Sequence, residues 1–125
     1  MGEVLAGPTR RRVLFIEDEH SLRSSYQRYF QQRYEMAFAA TGAEAMALLP
    51  ACRPDVAVLD MRLPDTDGID LLRRIRELLP DLPVVITTAY LSVEPQLRVL
   101  DLRYSGYIVK PFDLDELGQS IDAAR

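Results

Sequence analysis

The chain has one cysteine, Cys52, among its 125 residues. A lone cysteine excludes an internal disulfide and suits a reducing compartment such as the cytoplasm. Cys52 stands in a loop-like stretch beside Arg53-Pro54, where a half-exposed, unreactive thiol is the ordinary reading. Long apolar runs are missing as well. None approaches the roughly 20 residues of a membrane-spanning helix, so no membrane role is expected. Met1 to Arg12 has no apolar core of the kind a secretory leader needs. It reads as a loosely ordered lead-in closed by the solvated basic run Thr9-Arg10-Arg11-Arg12. Positive charge is in deficit, since 15 Lys and Arg face 19 Asp and Glu, for a net charge of −4. A nucleic-acid surface needs a basic stripe, so no direct nucleic-acid contact is expected. Repeats, low-complexity tracts and interdomain linkers are absent. No P-loop and no Gly-x-Gly-x-x-Gly follows any strand, which argues against a nucleotide-binding protein.

What remains is ordinary globular composition, 48% hydrophobic and 27% charged, in a length that makes one domain with a real core. Its pattern is alternation. Val13-Leu14-Phe15-Ile16, Met36-Ala37-Phe38-Ala39, Val56-Ala57-Val58-Leu59, Val84-Val85-Ile86-Thr87 and Tyr107-Ile108-Val109 read as strands. A helical stretch follows each. The first presents Leu22, Tyr26, Tyr29 and Phe30 on one face. The second opens on a capping box, with Thr41 as N-cap and Glu44 three residues on, and stops before Pro50. The third carries Ile69, Leu72, Ile75 and Leu79. The fourth starts near Ser92, has Pro95 in its first turn, presents Leu97, Leu100 and Tyr104, and stops before Gly106. The fifth carries Leu114, Leu117 and Ile121. Five strand–helix units in strict alternation make an α/β fold, a doubly wound parallel sheet with helices on both faces.

Ligands bind such sheets at the carboxyl ends of the strands. Four strands here end on chemistry-bearing residues: Glu17-Asp18 after the first, Asp60 after the third, Thr88 after the fourth and Lys110-Pro111 after the fifth. Three acids, a hydroxyl and a lysine on one edge suit a hard cation and a phosphoryl group. Like charges about 4 Å apart repel by roughly 4 kcal/mol at an intermediate dielectric. A divalent cation such as Mg²⁺, which takes oxygen ligands, removes that cost.

The motifs Val13-Leu14-Phe15-Ile16-Glu17-Asp18-Glu19, Val58-Leu59-Asp60-Met61 with Leu63-Pro64 and Asp67-Gly68, Thr87-Thr88-Ala89-Tyr90, and Tyr107-Ile108-Val109-Lys110-Pro111-Phe112 together resemble the receiver domain of two-component response regulators. The resemblance runs from about Arg12 onward, so residues 1–11 are read as lead-in and 12–125 as the receiver domain. It implies a flavodoxin-like five-stranded sheet in the order 2-1-3-4-5. It implies that Asp60 accepts a phosphoryl group from a histidine kinase or histidine phosphotransferase. Asp18 and Asp60 would bind Mg²⁺, with Glu17 acting through water and the backbone carbonyl of Arg62 completing the set. Thr88 and Lys110 would meet the phosphoryl oxygens. Thr88 and Tyr107 would form the switch, and Lys110-Pro111 a cis peptide. The protein would be a signalling switch rather than an enzyme, one that assists its own phosphorylation and dephosphorylation. An output domain or target, in transcription regulation for example, would read the fourth helix, fifth strand and fifth helix; a homodimer is one such form. The kinase would read His20, Arg23, Ser24 and Gln27. Arg62 and Tyr90 would flank the phosphoryl group and slow its loss.

Each residue also has a plainer reading. Asp18 and Asp60 taken singly are ordinary capping or loop acids. Thr88 alone is a strand-end threonine, Lys110 a surface lysine and Tyr107 core packing. His20 reads as an exposed first-turn residue. Two departures from the family pattern stand out: Glu17 occupies a position where aspartate is common, and Asp65 one where a small residue is more usual. Asp65 has no functional reading in the sequence. The competing function is a degenerate receiver, not phosphorylated, that serves as a protein-binding module.

Overall fold

A strand buried on both faces satisfies its backbone only between or beside other strands, and the apolar runs pair accordingly. The computed structural model describes residues 10–125. Its strands are β1 (Arg11–Ile16), β2 (Tyr34–Ala39), β3 (Val56–Asp60), β4 (Val84–Thr88) and β5 (Gly106–Val109). Its helices are α1 (His20–Phe30), α2 (Gly42–Cys52), α3 (Gly68–Leu78), α4 (Val93–Val99) and α5 (Leu114–Ala123). The sheet is parallel throughout, in the order β2-β1-β3-β4-β5. That is the expected flavodoxin-like topology. No helix among the described residues is long and apolar enough to cross a membrane.

Alternation along the strands builds two cores. Phe15, Val58, Val85 and Ile108 pack with Tyr26 and Phe30 of α1 and Leu117 and Ile121 of α5. Leu14, Leu59 and Ile86 face the other way and pack with Leu49, Leu72, Ile75 and Leu97. Glu17, Asp60 and Lys110 each follow the first set by two residues, so the same pleat aims all three toward the α1/α5 side. Backbone ladder bonds continue past the strand ends and fix them there. Glu17 N donates to Ala39 O at 2.9 Å and Lys110 N to Thr88 O at 2.7 Å.

Several local expectations need correction. α2 does not stop before Pro50 but runs through it to Cys52. The ring falls in the last turn, where one lost N–H bond is tolerable. Arg53, at φ 46°, ends the helix instead and donates its N–H to Leu49 O. Cys52 is thus the last helical residue and not a loop residue; burial pushes its thiol pKa up. α4 is shorter than its apolar spacing suggested. Asp101 turns left-handed at φ 55°, and Leu102 N closes back onto Leu97 O at 2.9 Å. Leu100 is therefore exposed, and Tyr104 lies beyond the helix. Tyr29 is exposed and not part of the α1 core face; its hydroxyl donates to Asp115 of α5. Thr41 does cap α2, accepting from Glu44 N at 3.0 Å, while the Glu44 carboxylate reaches back one residue further than the box describes, to Ala40 N.

The N-terminal side differs too. Met1 to Thr9 of the lead-in lie outside the described residues. Arg11 is neither lead-in nor solvated: it is the first residue of β1, and its guanidinium donates to Ile121 O at 2.5 Å and Ala124 O at 2.8 Å. Of the described residues of that run, Arg10 and Arg12 are exposed.

Candidate phosphoacceptor site

Asp60 is the last residue of β3, and Met61 N donates to Thr87 O at 3.1 Å just beyond it. Its side chain is almost wholly buried, as is that of Glu17, at 4% and 2% exposed. Two buried carboxylates on one face need a counter-charge. Lys110, the only lysine in the chain, supplies it. Its Nζ lies 3.2 Å from Glu17 Oε1 and 3.3 Å from Asp60 Oδ2. Backbone amides take the remaining oxygens: Glu19 N donates to Glu17 Oε2 at 3.1 Å and Arg62 N to Asp60 Oδ1 at 3.2 Å. Asp18 is exposed at the mouth. One carboxylate oxygen from each of Glu17, Asp18 and Asp60 lies within 4.8 Å of the others.

One lysine does not neutralise three acids. Burial first, then the negative charge of Asp60, pushes Glu17 up to about 7 against the partial relief that Lys110 and the Glu19 amide give. Burial alone would lower the Lys110 pKa, but Asp60 and Glu17 outweigh it, and the net direction is up. The lysine therefore stays charged. The site is an open cleft of about 670 Å³ with this cluster on its floor.

Thr88 ends β4, is 2% exposed, and accepts the Tyr90 N–H on Oγ1 at 3.1 Å. Tyr107 of β5 sits half-buried, 5.9 Å from the Tyr104 ring, and its hydroxyl donates to Tyr90 O at 2.6 Å. Tyr90 is thus a hub. Its own hydroxyl accepts from Arg62 at 2.8 Å, and the Arg62 guanidinium lies 5.7 Å from its ring centroid. The Lys110-Pro111 peptide is cis. Gly68 closes the loop after Asp60. A Cβ there would stand 2.5 Å from Met61 Cα, so only glycine lets Gly68 N reach Met61 O at 2.9 Å.

Of the four α1 residues expected to face a kinase, His20 and Gln27 are exposed. Ser24 is half-buried. Arg23 turns inward and donates to Glu17 O at 2.8 Å, so it supports the acidic turn. Sequence reasoning missed that contact, and it missed the role of Asp65, which accepts from Gly42 N and Ala43 N at the start of α2. No sequence pattern marks the Arg23 and Asp65 contacts; the Asp65 contact joins residues 22 and 23 apart. Tyr26 is buried on the expected core face of α1, and its hydroxyl has no protein partner among the described residues.

Parallel sheet, acid pair and lysine together define a class, and comparison with known proteins bears it out. A family profile described as the response regulator receiver domain matches residues 13–122. The chain belongs to that family. It is 36% identical over 114 residues to the regulatory protein AtoC of Escherichia coli, covering 90% of this chain and 25% of AtoC. It is 36% identical over 107 residues to the response regulator MprA of Mycobacterium avium, covering 85% of this chain and 47% of MprA. The chain thus spans less than half the length of these relatives. Among solved structures it resembles the non-phosphorylated HemR receiver domain of Leptospira biflexa, with 34% identity, a TM-score of 0.79, and coverage of 90% and 92% of the two chains. It also resembles the Thermotoga maritima response regulator TrrA solved in complex with Mg²⁺-BeF, with 27% identity, a TM-score of 0.79, and coverage of 90% and 96%. The protein is therefore a response regulator receiver domain, of a family of signalling switches.

Proposed function

We propose that this receiver accepts a phosphoryl group on Asp60 from the phosphohistidine of a histidine kinase or histidine phosphotransferase. The observation that carries the reading is the meeting of Asp60 with Glu17, Asp18 and Lys110 at the carboxyl edge of the sheet. In the transfer, a carboxylate oxygen of Asp60 forms a bond to phosphorus while the phosphorus–nitrogen bond breaks and histidine keeps the electron pair. Phosphoryl transfer asks for alignment and charge stabilisation more than covalent help. Lys110 supplies a positive charge beside the Asp60 oxygen. Thr88 supplies a hydroxyl whose donor end is free to turn, since the Tyr90 N–H uses only its acceptor side.

The donor set fits a hard divalent cation: three carboxylates crowd together, and burial followed by the Asp60 charge raises one of them, Glu17, to about 7. Asp18 and Asp60, with Glu17 behind them and the Arg62 carbonyl, would hold it. When bound, Mg²⁺ supplies positive charge to the transferring phosphoryl oxygens. TrrA was captured with Mg²⁺-BeF, which supports the same cation here.

The switch follows from Tyr90 and Tyr107. A phosphoryl oxygen offers Thr88 a charged acceptor, and such bonds are worth about 1.5–3 kcal/mol. Drawing Thr88 toward the site disturbs the Tyr90 N–H it now accepts, and Tyr90 O is where Tyr107 is tied. The surface that changes is α4-β5-α5, where Leu91, Val99 and Leu100 are exposed for an output domain, a target protein or a second copy. Such a partner, a role in transcription and a cytoplasmic location belong to this same reading. The kinase reads the site through the exposed side of α1, His20 and Gln27.

The test is acetyl phosphate labelling with Mg²⁺. Intact mass should show one added phosphoryl group, and borohydride reduction should map it to Asp60. Labelling should vanish with EDTA. Labelling that is unchanged in EDTA, or that maps elsewhere, overturns the reading.

The Arg62–Tyr90 pair lies across the mouth, so the phosphoryl group should be lost slowly. The double variant Arg62→Ala, Tyr90→Ala should lose label about tenfold faster than the parent, because a shielded water is poorly placed for attack. Equal decay rates would show that the pair does not shield the acyl phosphate.

A further inference from the structure

The loop between Asp60 and Gly68 is tied at two points. Near its start, Arg62 N donates to Asp60 Oδ1 at 3.2 Å. Near its middle, Asp65 accepts from Gly42 N at 2.8 Å and Ala43 N at 3.0 Å, the first two amides of α2. Those amides hold the Asp65 carboxyl below the usual range. The contact is steric as well as polar, since the Thr66 methyl stands 2.6 Å from where a Gly42 Cβ would be. Arg62 and Asp67 pair as an antiparallel bridge, so the loop is a closed unit. Only Leu63 and Pro64 separate the two ties, and the proline fixes its own φ.

A carboxylate rotates easily about its last torsion. Asp60 Oδ2 is held by the flexible Lys110; Oδ1 is held by a backbone amide that is only as steady as its loop. We propose that Asp65 is a positioning residue for the phosphoacceptor: by fastening the loop to the start of α2, it keeps the Arg62 N–H on Asp60 Oδ1 and so sets the angle of the reacting carboxylate. The chemical consequence rests on the proposed phosphorylation of Asp60; the geometric part does not.

Three variants test it. Asp65→Ala removes the tie. Asp65→Asn keeps one of the two oxygen acceptors and loses the other to an amide NH2. Thr41→Ala removes the other cap of the same helix, the one to Glu44 N, and leaves the loop alone. Amide hydrogen exchange of Asp65→Ala should quicken at Gly42, Ala43 and also Arg62, whereas Thr41→Ala should quicken Glu44 and spare Arg62. With saturating Mg²⁺ and acetyl phosphate, Asp65→Ala should label about three- to tenfold more slowly. Asp65→Asn, with half of the tie, should fall between Asp65→Ala and the parent, and Thr41→Ala should match the parent despite a lower Tm. Unchanged exchange at Arg62 in Asp65→Ala overturns the proposal. So does an equal loss of labelling rate in Thr41→Ala, which would trace the effect to helix stability. If the parent itself takes no label, the proposed function falls, and exchange at Arg62 still decides whether Asp65 positions the loop.

Discussion

Asp60→Asn should take up no phosphoryl group above background under conditions that label the parent fully. The amide has the shape of the acid, and its one oxygen can still accept from the Arg62 amide, so only the Lys110 contact is given up and the fold has little reason to change. What is lost is the negative charge that makes the oxygen nucleophilic. No second group can stand in. Glu17 is the nearest carboxylate, but its two oxygens are committed to Lys110 and the Glu19 amide. Asp18 is exposed at the mouth. Circular dichroism matching the parent shows that folding is intact. A variant that labels at the parent rate removes Asp60 as the acceptor.

In EDTA, the parent should lose stability as pH rises from 5 to 8, and Glu17→Gln should not. Glu17 moves from 4.5 to about 7 on folding because it is buried beside Asp60. The folded state therefore binds the proton more tightly than the unfolded chain does, and stability falls wherever the folded state holds more protons. Relative to an ordinary glutamate, the benefit is full below about pH 4.5 and gone once pH has risen through 7. The whole span is worth about 3 kcal/mol, or roughly 10 °C in Tm for a domain of this size. Glutamine cannot ionise, so the variant should be nearly flat over the same window and more stable than the parent at pH 8. Saturating Mg²⁺ should restore the parent at high pH, since a cation favours the ionised carboxylate. Parallel Tm curves for the two proteins in EDTA would mean that Glu17 is not perturbed.

The parts of the fold that the sequence displayed are those governed by short-range rules. Val56 to Leu59 and Val84 to Thr87 are apolar on both faces and admit one reading, a central strand. Their positions made the acid edge legible, whereas the strand order followed from the family resemblance. The acid site could be read because each of its members lies one step past an apolar run. Misreadings came where a local pattern has two solutions. Leu97, Leu100 and Tyr104 keep helical spacing, yet Asp101 takes a left-handed turn and the last two leave the helix. Pro50 normally ends a helix, yet here its missing N–H falls in the final turn. Asp65, Arg23 and Arg11 were illegible for another reason. Their partners lie 22 or more, six and 110 or more residues away, and nothing in their own neighbourhood announces a carbonyl or amide waiting across the fold.

The fastening of α5 has a mechanical consequence. Its last turn is gripped from β1 by Arg11 on Ile121 O and Ala124 O. Arg33 and Tyr34 grip it from the start of β2, both on Asp122, at 2.8 Å and 2.6 Å. Its first turn has only the Tyr29–Asp115 contact among these, and follows the lysine that the phosphoryl group would engage. A rod clamped at one end is a lever. Its fulcrum lies near Asp122, and its more lightly held arm, with Leu117 in the core and Leu114 half-buried against it, begins just past Lys110. A small pull on Lys110 would therefore swing the Leu114 end of α5 through the largest arc while the Ala123 end barely turns.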